Sequence, residues 1–219
     1  MIPLSQMLKE NVVAGMFLDR DGVVNAKAPR GEYITSPDDL VLLRGVAAAI
    51  RRVNELRVPV YIVTNQRWVA HRHDGIEKLR AIHKRLGALL GSTGAYVDGI
   101  YACVHEINRC GCRKPERGLV DEVVSHNRKL ALSSCVMVGD AETDIELASR
   151  CGMYSVRLVS DQDNVHFDRE STRAQEIAVD LYSAVVGKHV VGGTNRSARQ
   201  PSPSRSRETF VLSTTSEKG

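Results

Sequence analysis

The sequence predicts an α/β protein in which a parallel sheet carries helices on both faces. Short apolar runs alternate along the chain with segments of helical periodicity, the pattern of strand–helix–strand units. Several of those runs stop abruptly in polar residues, as strands do where they deliver side chains to a ligand site at their carboxyl ends. The 219 residues, 42% hydrophobic and 26% charged, suit one domain with a full core.

Residues 1–11 are a polar lead-in with room for one helical turn. The first strand, within 12–18, ends in Phe17-Leu18-Asp19-Arg20-Asp21-Gly22-Val23-Val24-Asn25. Asp19 and Asp21 are two residues apart, so in extended chain both carboxylates point the same way. Two carboxylates held close repel unless a cation or a proton separates them. One arrangement that uses both makes one the nucleophile and Mg²⁺ ligand, and the other the acid and base. A loop rich in Pro, Gly and charge follows over 25–39.

Residues 44–57 place Val46, Ile50, Val53 and Leu56 at helical spacing. A second strand over 58–63 runs into Thr64-Asn65-Gln66. A helix over 76–90 puts Ile76, Leu79, Ile82, His83, Leu86 and Leu90 on one side. The third strand covers 99–104, and a cysteine-rich loop leads from it to a helix from 119 to about 130. A fourth strand over 134–138 runs straight into Gly139-Asp140. A helix over 142–150, a fifth strand over 154–159 and a last helix over 172–186 complete the reading. The connections after the first three strands are too short for a separate cap domain.

From Lys188 the composition turns polar, with Pro, Ser and Arg and little to bury, so 188–219 is expected to be a disordered tail and 1–187 the folded domain. The net charge of +4 belongs to that tail, which holds six basic and two acidic residues; the body carries 24 of each sign. A neutral body gives no footprint for nucleic acid. No run reaches 18 apolar residues and no basic-then-apolar leader opens the chain, so a cytoplasmic protein without membrane association, and a monomer, is expected. The absence of a Gly-x-x-x-x-Gly-Lys-Ser/Thr loop argues against a kinase.

Five cysteines is an odd number, and three of them fall within 103–112, which argues for a metal or a reducing compartment over disulfides. Cys103, His105, Cys110 and Cys112 can close a tetrahedral zinc site with no open position, hence a structural one. Cys135 and Cys151 lie in apolar surroundings and read as buried thiols.

The string from Phe17 to Asn25 resembles the first motif of the haloacid-dehalogenase (HAD) phosphatases, and its extension Asp-Arg-Asp-Gly-Val-Val-Asn resembles their heptose-bisphosphate and histidinol-phosphate branch. Covering residues 12–160, the resemblance implies a HAD-like three-layer Rossmannoid fold, essentially capless, with a zinc-binding loop. Asp19 is implied as the nucleophile that forms an aspartyl-phosphate, and Asp21 as general acid, then base. Thr64 and Asn65, with Arg113 and Lys114, are implied as phosphate-binding residues, and Lys114 balances charge. Asp19, Asp21 and Asp140 are implied as Mg²⁺ ligands, with Asp144 as a supporting carboxylate. The zinc loop resembles the branch's Cys-x-His and Cys-x-Cys-Arg-Lys-Pro.

The chain departs from the branch in two places. Bulky Arg67 and Trp68 follow Thr-Asn-Gln where small residues are usual, and only four residues separate His105 from Cys110. The expected substrate is a small phosphorylated metabolite, foremost a heptose bisphosphate that loses one phosphate, with histidinol phosphate or another sugar phosphate as the alternative. Arg113 and Arg67 motivate the bisphosphate, since arginine grips phosphate bidentately while histidinol's amine would be repelled. A nucleic-acid end-processing phosphatase and a catalytically idle zinc-braced binding module are the competing classes. Against them stand the neutral body and the complete set of aspartates and lysine.

Overall fold

Side chains in the central strands sort to two layers by parity, because successive residues of a strand face opposite sides of the sheet. The computed structural model describes residues 2–159 and 171–187, and the backbone of 209–212. Its strands are β1 (Gly15–Leu18), β2 (Val60–Asn65), β3 (Gly99–Cys103), β4 (Cys135–Gly139), β5 (Tyr154–Leu158), β6 (Glu176–Ala178) and β7 (Thr209–Leu212). They form one sheet in the order β6-β5-β4-β1-β2-β3-β7, with every pairing parallel. The helices are α1 (Leu4–Lys9), α2 (Val46–Glu55), α3 (Gly75–Gly91), α4 (Gly118–His126), α5 (Glu142–Cys151) and α6 (Leu181–Val186).

Met16, Leu18, Val60, Ile62, Val136 and Val138 point to one face and pack with Val46, Ile50 and Val53 of α2 and Leu79, Ile82 and Leu86 of α3. Phe17, Tyr61, Val63, Tyr101 and Met137 point to the other, against Leu119, Val120 and Val123 of α4 and Leu147 of α5. Each such fully buried side chain contributes about 1.5–3 kcal/mol. Both layers read as predicted from the 3.6-residue stripes, and no separate domain is inserted after β1, β2 or β3 among the described residues. The strand order reverses at β1, which pairs with β2 on one side and β4 on the other. Ligands of such sheets bind beyond the carboxyl ends at that reversal.

Three segments differ from the sequence reading. The expected helix over 172–186 is a strand followed by a shorter helix. Residues 176–178 pair with β5, and Asp180 starts α6 by accepting the Ser183 amide at 2.6 Å. A side-chain cap defines where a helix begins more sharply than apolar spacing does. The expected helix from 119 to 130 ends at His126. Within the expected disordered tail, residues 209–212 form β7 along the outer edge of β3, so the tail is not wholly unstructured. Thr-Phe-Val-Leu has the β-branched and aromatic composition that suits a strand, and the β3 edge offers it unpaired backbone groups. Residues 188–208 and 213–219 of that tail lie outside the described residues.

A chain ended at residue 208 is expected to be less stable by about 1–3 kcal/mol through lost strand hydrogen bonds. It is also expected to aggregate more readily with the β3 edge bared. A thermal melt followed by light scattering checks both outcomes.

Candidate active site

Three strands end in polar residues at the reversal: β1 in Asp19, β2 in Thr64 and Asn65, and β4 in Gly139 and Asp140. Lys114, buried, reaches them from the loop that follows β3. Its Nζ lies 2.7 Å from Asp19 Oδ1 and 2.7 Å from Asp144 Oδ1. Burial alone would depress the ammonium's pKa, but Asp144 and Asp19 outweigh it and raise it, keeping Lys114 charged. Burial pushes Asp19 up to about 6 against the pull of Lys114, with Asp144 and Asp21 adding to the rise. Burial, then Asp19, raises Asp140 as well.

Two glycines make room for this. A side chain at Gly139 would collide with Asp144, whose carboxylate also accepts the Ala141 amide at 3.1 Å at the start of α5. Gly22 adopts φ +88°, which favours glycine, and a Cβ there would run into Asp140. The turn it makes returns the chain so that Lys27 forms an ion pair with Asp140.

Asp21 stands apart from that group. Arg20 Nη2 donates to both its oxygens at 3.0 Å, Asn25 Nδ2 to Oδ1 at 2.8 Å and Gln66 Nε2 to Oδ2 at 2.8 Å. Burial opposes its ionisation, but Arg20 and the Asn25 and Gln66 hydrogen bonds hold it below the usual carboxylate range.

These side chains open on a cleft of about 340 Å³, whose far wall is the 27–34 loop with Lys27, Arg30 and Tyr33. Arg67 stands beside that wall, donating to the Tyr33 hydroxyl at 3.4 Å.

Asp19, Asp140 and Asp144 each offer a carboxylate oxygen, and the three oxygens lie within 4.8 Å of one another. The donor set fits a hard divalent cation, which takes carboxylate oxygens. Charge agrees: Asp19, Asp21, Asp140 and Asp144 outnumber Arg20, Lys27 and Lys114, and the Lys27 ammonium stands on Asp140 as a monovalent cation.

The second cluster brings together Cys103, His105, Cys110 and Cys112. Cys112 Sγ lies 3.3 Å from His105 Nδ1 and 3.4 Å from Cys110 Sγ, and Cys103 Sγ lies 3.8 Å and 3.6 Å from the same two atoms. An ion with sulfur at about 2.3 Å and nitrogen at about 2.1 Å sets tetrahedral edges of about 3.5–3.8 Å, so the four fit a metal. Hydrogen bonding to Cys112, then burial, pushes the Cys103 thiol far up, a crowding that a cation relieves.

Comparison with known proteins adds the lineage. Residues 111–184 match the family model described as "HAD-hyrolase-like". The D-glycero-D-manno-heptose-1,7-bisphosphate 7-phosphatase of Thermosynechococcus vestitus is 37% identical over 153 residues, 64% of this chain and 76% of the relative. The D-glycero-beta-D-manno-heptose-1,7-bisphosphate 7-phosphatase of Mesorhizobium japonicum is 30% identical over 192 residues, 83% of this chain and 85% of the relative. The chain belongs to the HAD phosphatases, in the family of the heptose-bisphosphate phosphatases. Among solved structures, D,D-heptose 1,7-bisphosphate phosphatase from B. bronchiseptica, complexed with magnesium and phosphate, superposes with a TM-score of 0.66 at 28% identity. That match covers 78% of this chain and 96% of the other. Among the described residues, no helix of this family member is long and apolar enough to cross a membrane.

The fold brings Asp19, Thr64, Lys114, Asp140 and Asp144 together, as the sequence reading placed them, but it distributes the details differently. Asp144, expected as support, joins the carboxylate group, while the Asp21 carboxylate lies outside it. Asn65 spends its side-chain amide on the main chain of Lys114, accepting from its N–H at 3.0 Å and donating to its carbonyl at 3.1 Å. It thus pins the lysine loop to β2. Arg113 is half-buried and absent from the cleft lining, and its Nη1 is buried without a hydrogen-bond partner. Trp68 does not face the cleft; it is buried, with Nε1 donating to Gln66 Oε1 at 2.8 Å. Cys135 and Cys151 are buried thiols, as expected.

Lys27, Gln66 and the partners of Arg20 escaped the sequence reading. His83 carried the one available signal, a polar residue on an otherwise apolar helix face.

A proton and a divalent cation compete for Asp19, whose pKa is raised to about 6. Mg²⁺ affinity is therefore expected to rise about tenfold per pH unit below about pH 6 and to level off above about pH 7. Calorimetric titration across that range checks it.

Proposed function

We propose that the protein is a Mg²⁺-dependent phosphomonoesterase that removes one phosphate from a heptose 1,7-bisphosphate and leaves the other. The observation that carries this reading is Asp19 held against Lys114 at the floor of an open cleft, in a chain that shares its family with 7-phosphatases of that sugar. With its pKa at about 6, Asp19 is largely ionised at neutral pH and ready as a nucleophile.

In this reading an Asp19 oxygen attacks phosphorus, the bond from phosphorus to the sugar oxygen breaks, and an aspartyl-phosphate forms. Asp21 gives its proton to the departing oxygen. Asp21 is held ionised in the ligand-free protein, so it acquires that proton as substrate binds, when the incoming phosphate's charge raises its pKa. It then takes a proton from water, which attacks phosphorus, releases inorganic phosphate and restores Asp19. Lys114 and the Thr64 hydroxyl hold phosphoryl oxygens, Lys114 offsetting the repulsion between phosphate and Asp19. Asp19 and Asp140, with Asp144 beside them, would hold Mg²⁺, and Asp144 would also steady Lys114. The metal supplies charge neutralisation for phosphate and nucleophile.

The second phosphate goes to cations around the cleft, Lys27 and Arg30 in its wall and Arg67 beside Tyr33, with Arg113, half-buried outside the lining, expected to turn its unpartnered guanidinium nitrogen toward it. Cys103, His105, Cys110 and Cys112 would hold one structural Zn²⁺, bracing the loop that carries Arg113 and Lys114.

Phosphate release from purified protein tests the reading. Asp19→Asn is expected to lose at least about 10³-fold in kcat while circular dichroism shows the fold kept, since an amide cannot serve as nucleophile. Activity within tenfold of wild type would sink the mechanism. The bisphosphate is expected to exceed histidinol phosphate in kcat/KM, and Arg113→Ala to narrow that advantage by about 1.5–3 kcal/mol of charged hydrogen bonding. Better turnover of histidinol phosphate, or equal loss on both substrates, reverses the assignment of substrate. Elemental analysis after mild chelation is expected to find one zinc per chain, and Cys110→Ser to lower both stability and zinc content.

A further inference from the structure

Behind the cleft lies an arginine that no substrate reaches. Arg20 is wholly buried and is the bulkiest side chain so enclosed among the described residues. Its Nε donates to Asp21 Oδ1 at 3.2 Å and its Nη2 to both Asp21 oxygens at 3.0 Å. Nη2 also reaches Gln66 Oε1 at 3.1 Å, and Nη1 meets His83 Nε2 at 3.2 Å. A guanidinium keeps its protons and cannot accept a hydrogen bond. His83 Nε2 is therefore the acceptor, and the ring is the neutral tautomer with its proton on Nδ1. Burial, then Arg20, lowers the His83 pKa well below the usual range, in agreement.

The same logic orients Gln66. Its Oε1 accepts from Arg20 and from Trp68 Nε1, so its Nε2 is the end that donates to Asp21 Oδ2 and Thr64 Oγ1, each at 2.8 Å. The carboxylate plane of Asp21 is thus clamped along one edge, and its remaining surface lines the cleft.

Stability does not account for this arrangement. Replacing a buried ion pair by apolar residues of similar volume is often neutral or stabilising. His83 occupies a place between Leu79, Ile82 and Leu86 of α3 where an apolar side chain would pack.

We propose that Arg20, His83 and Gln66 are positioning residues that fix the orientation of Asp21 for proton transfer to the leaving oxygen, with His83 keeping the guanidinium from turning away. The proposal rests on the reading of Asp21 as acid and base. It goes beyond that reading by assigning a function to three residues that touch neither substrate nor metal.

Leaving-group dependence tests it. A misaligned acid slows cleavage of an alkyl phosphate, whose alkoxide needs a proton, and spares p-nitrophenyl phosphate, whose phenolate departs without one. The ratio kcat/KM reports only steps up to that cleavage. His83→Leu is expected to lower kcat/KM for the sugar phosphate by about 10–100-fold and for p-nitrophenyl phosphate by less than about threefold. His83→Gln, which restores an acceptor for Arg20, is expected to recover at least about tenfold of that loss, whereas a packing role alone would give no such rescue. Gln66→Met keeps volume, removes the donor to Asp21 and is expected to show the same split, so the test survives if His83→Leu fails to fold. Equal losses on both substrates, or no loss on either, overturn the proposal. Asp21→Asn separates the two claims: if it shows no leaving-group split, the acid assignment fails; if it does and the positioning variants do not, the positioning fails.

Discussion

An ammonium enclosed among carboxylates at the end of a parallel sheet persists only while every partner stays where the strands hold it. Lys114 lies equally close to Asp19, just past β1, and to Asp144, in the first turn of α5. Removing one partner of a buried charge pair costs about 3–5 kcal/mol, because the other is left uncompensated. The site therefore requires the β1–β4 register, the close approach at Gly139 and the path of the 104–117 loop all at once.

That loop is fixed from two directions. Asn65, at the end of β2, takes both main-chain hydrogen-bonding groups of Lys114, and the Gly118 amide closes the loop on the Gly111 carbonyl at 3.0 Å. The Cys/His cluster sits between β3 and this anchor. A metal held there would have a definite mechanical task, keeping a coil segment with few regular hydrogen bonds against the sheet so that Lys114 enters at one angle. Rigid support of this sort is what charge-neutralising catalysis requires, since its donors must be in place before the reaction begins.

The two aspartates that follow β1 are treated in opposite ways by their surroundings. Asp19 loses water and gains another carboxylate nearby, so it holds protons more readily; Asp21 loses water too but gains a guanidinium and two amides, so it holds them less. Two chemically identical side chains two residues apart thereby acquire opposite proton affinities. The distinction is made by burial and the distant Asp144 for the first, against the pull of Lys114, and by Arg20, Asn25 and the distant Gln66 for the second.

Much of this was legible in the sequence. The central strands, the helices between them and the polar residues at the strand ends follow from period and composition, which are local properties of the chain. Cys103, His105, Cys110 and Cys112 are also close in sequence, so their convergence could be read from spacing. Other features depended on what each segment meets in three dimensions. Residues 176–178 and 209–212 became strands because β5 and β3 offered edges to pair with, and nothing within those short segments names an edge. Lys27 found Asp140, Arg20 found His83, and Asp144 instead of Asp21 joined Asp19 and Asp140. Those partners are up to 125 residues apart, and strand order, register and the turn at Gly22 decide their meeting. The sequence by itself determined which groups stand at the ends of the strands; the tertiary structure decided which of them touch, because a side chain's neighbours in a parallel sheet come from crossovers that carry no local mark of where they return.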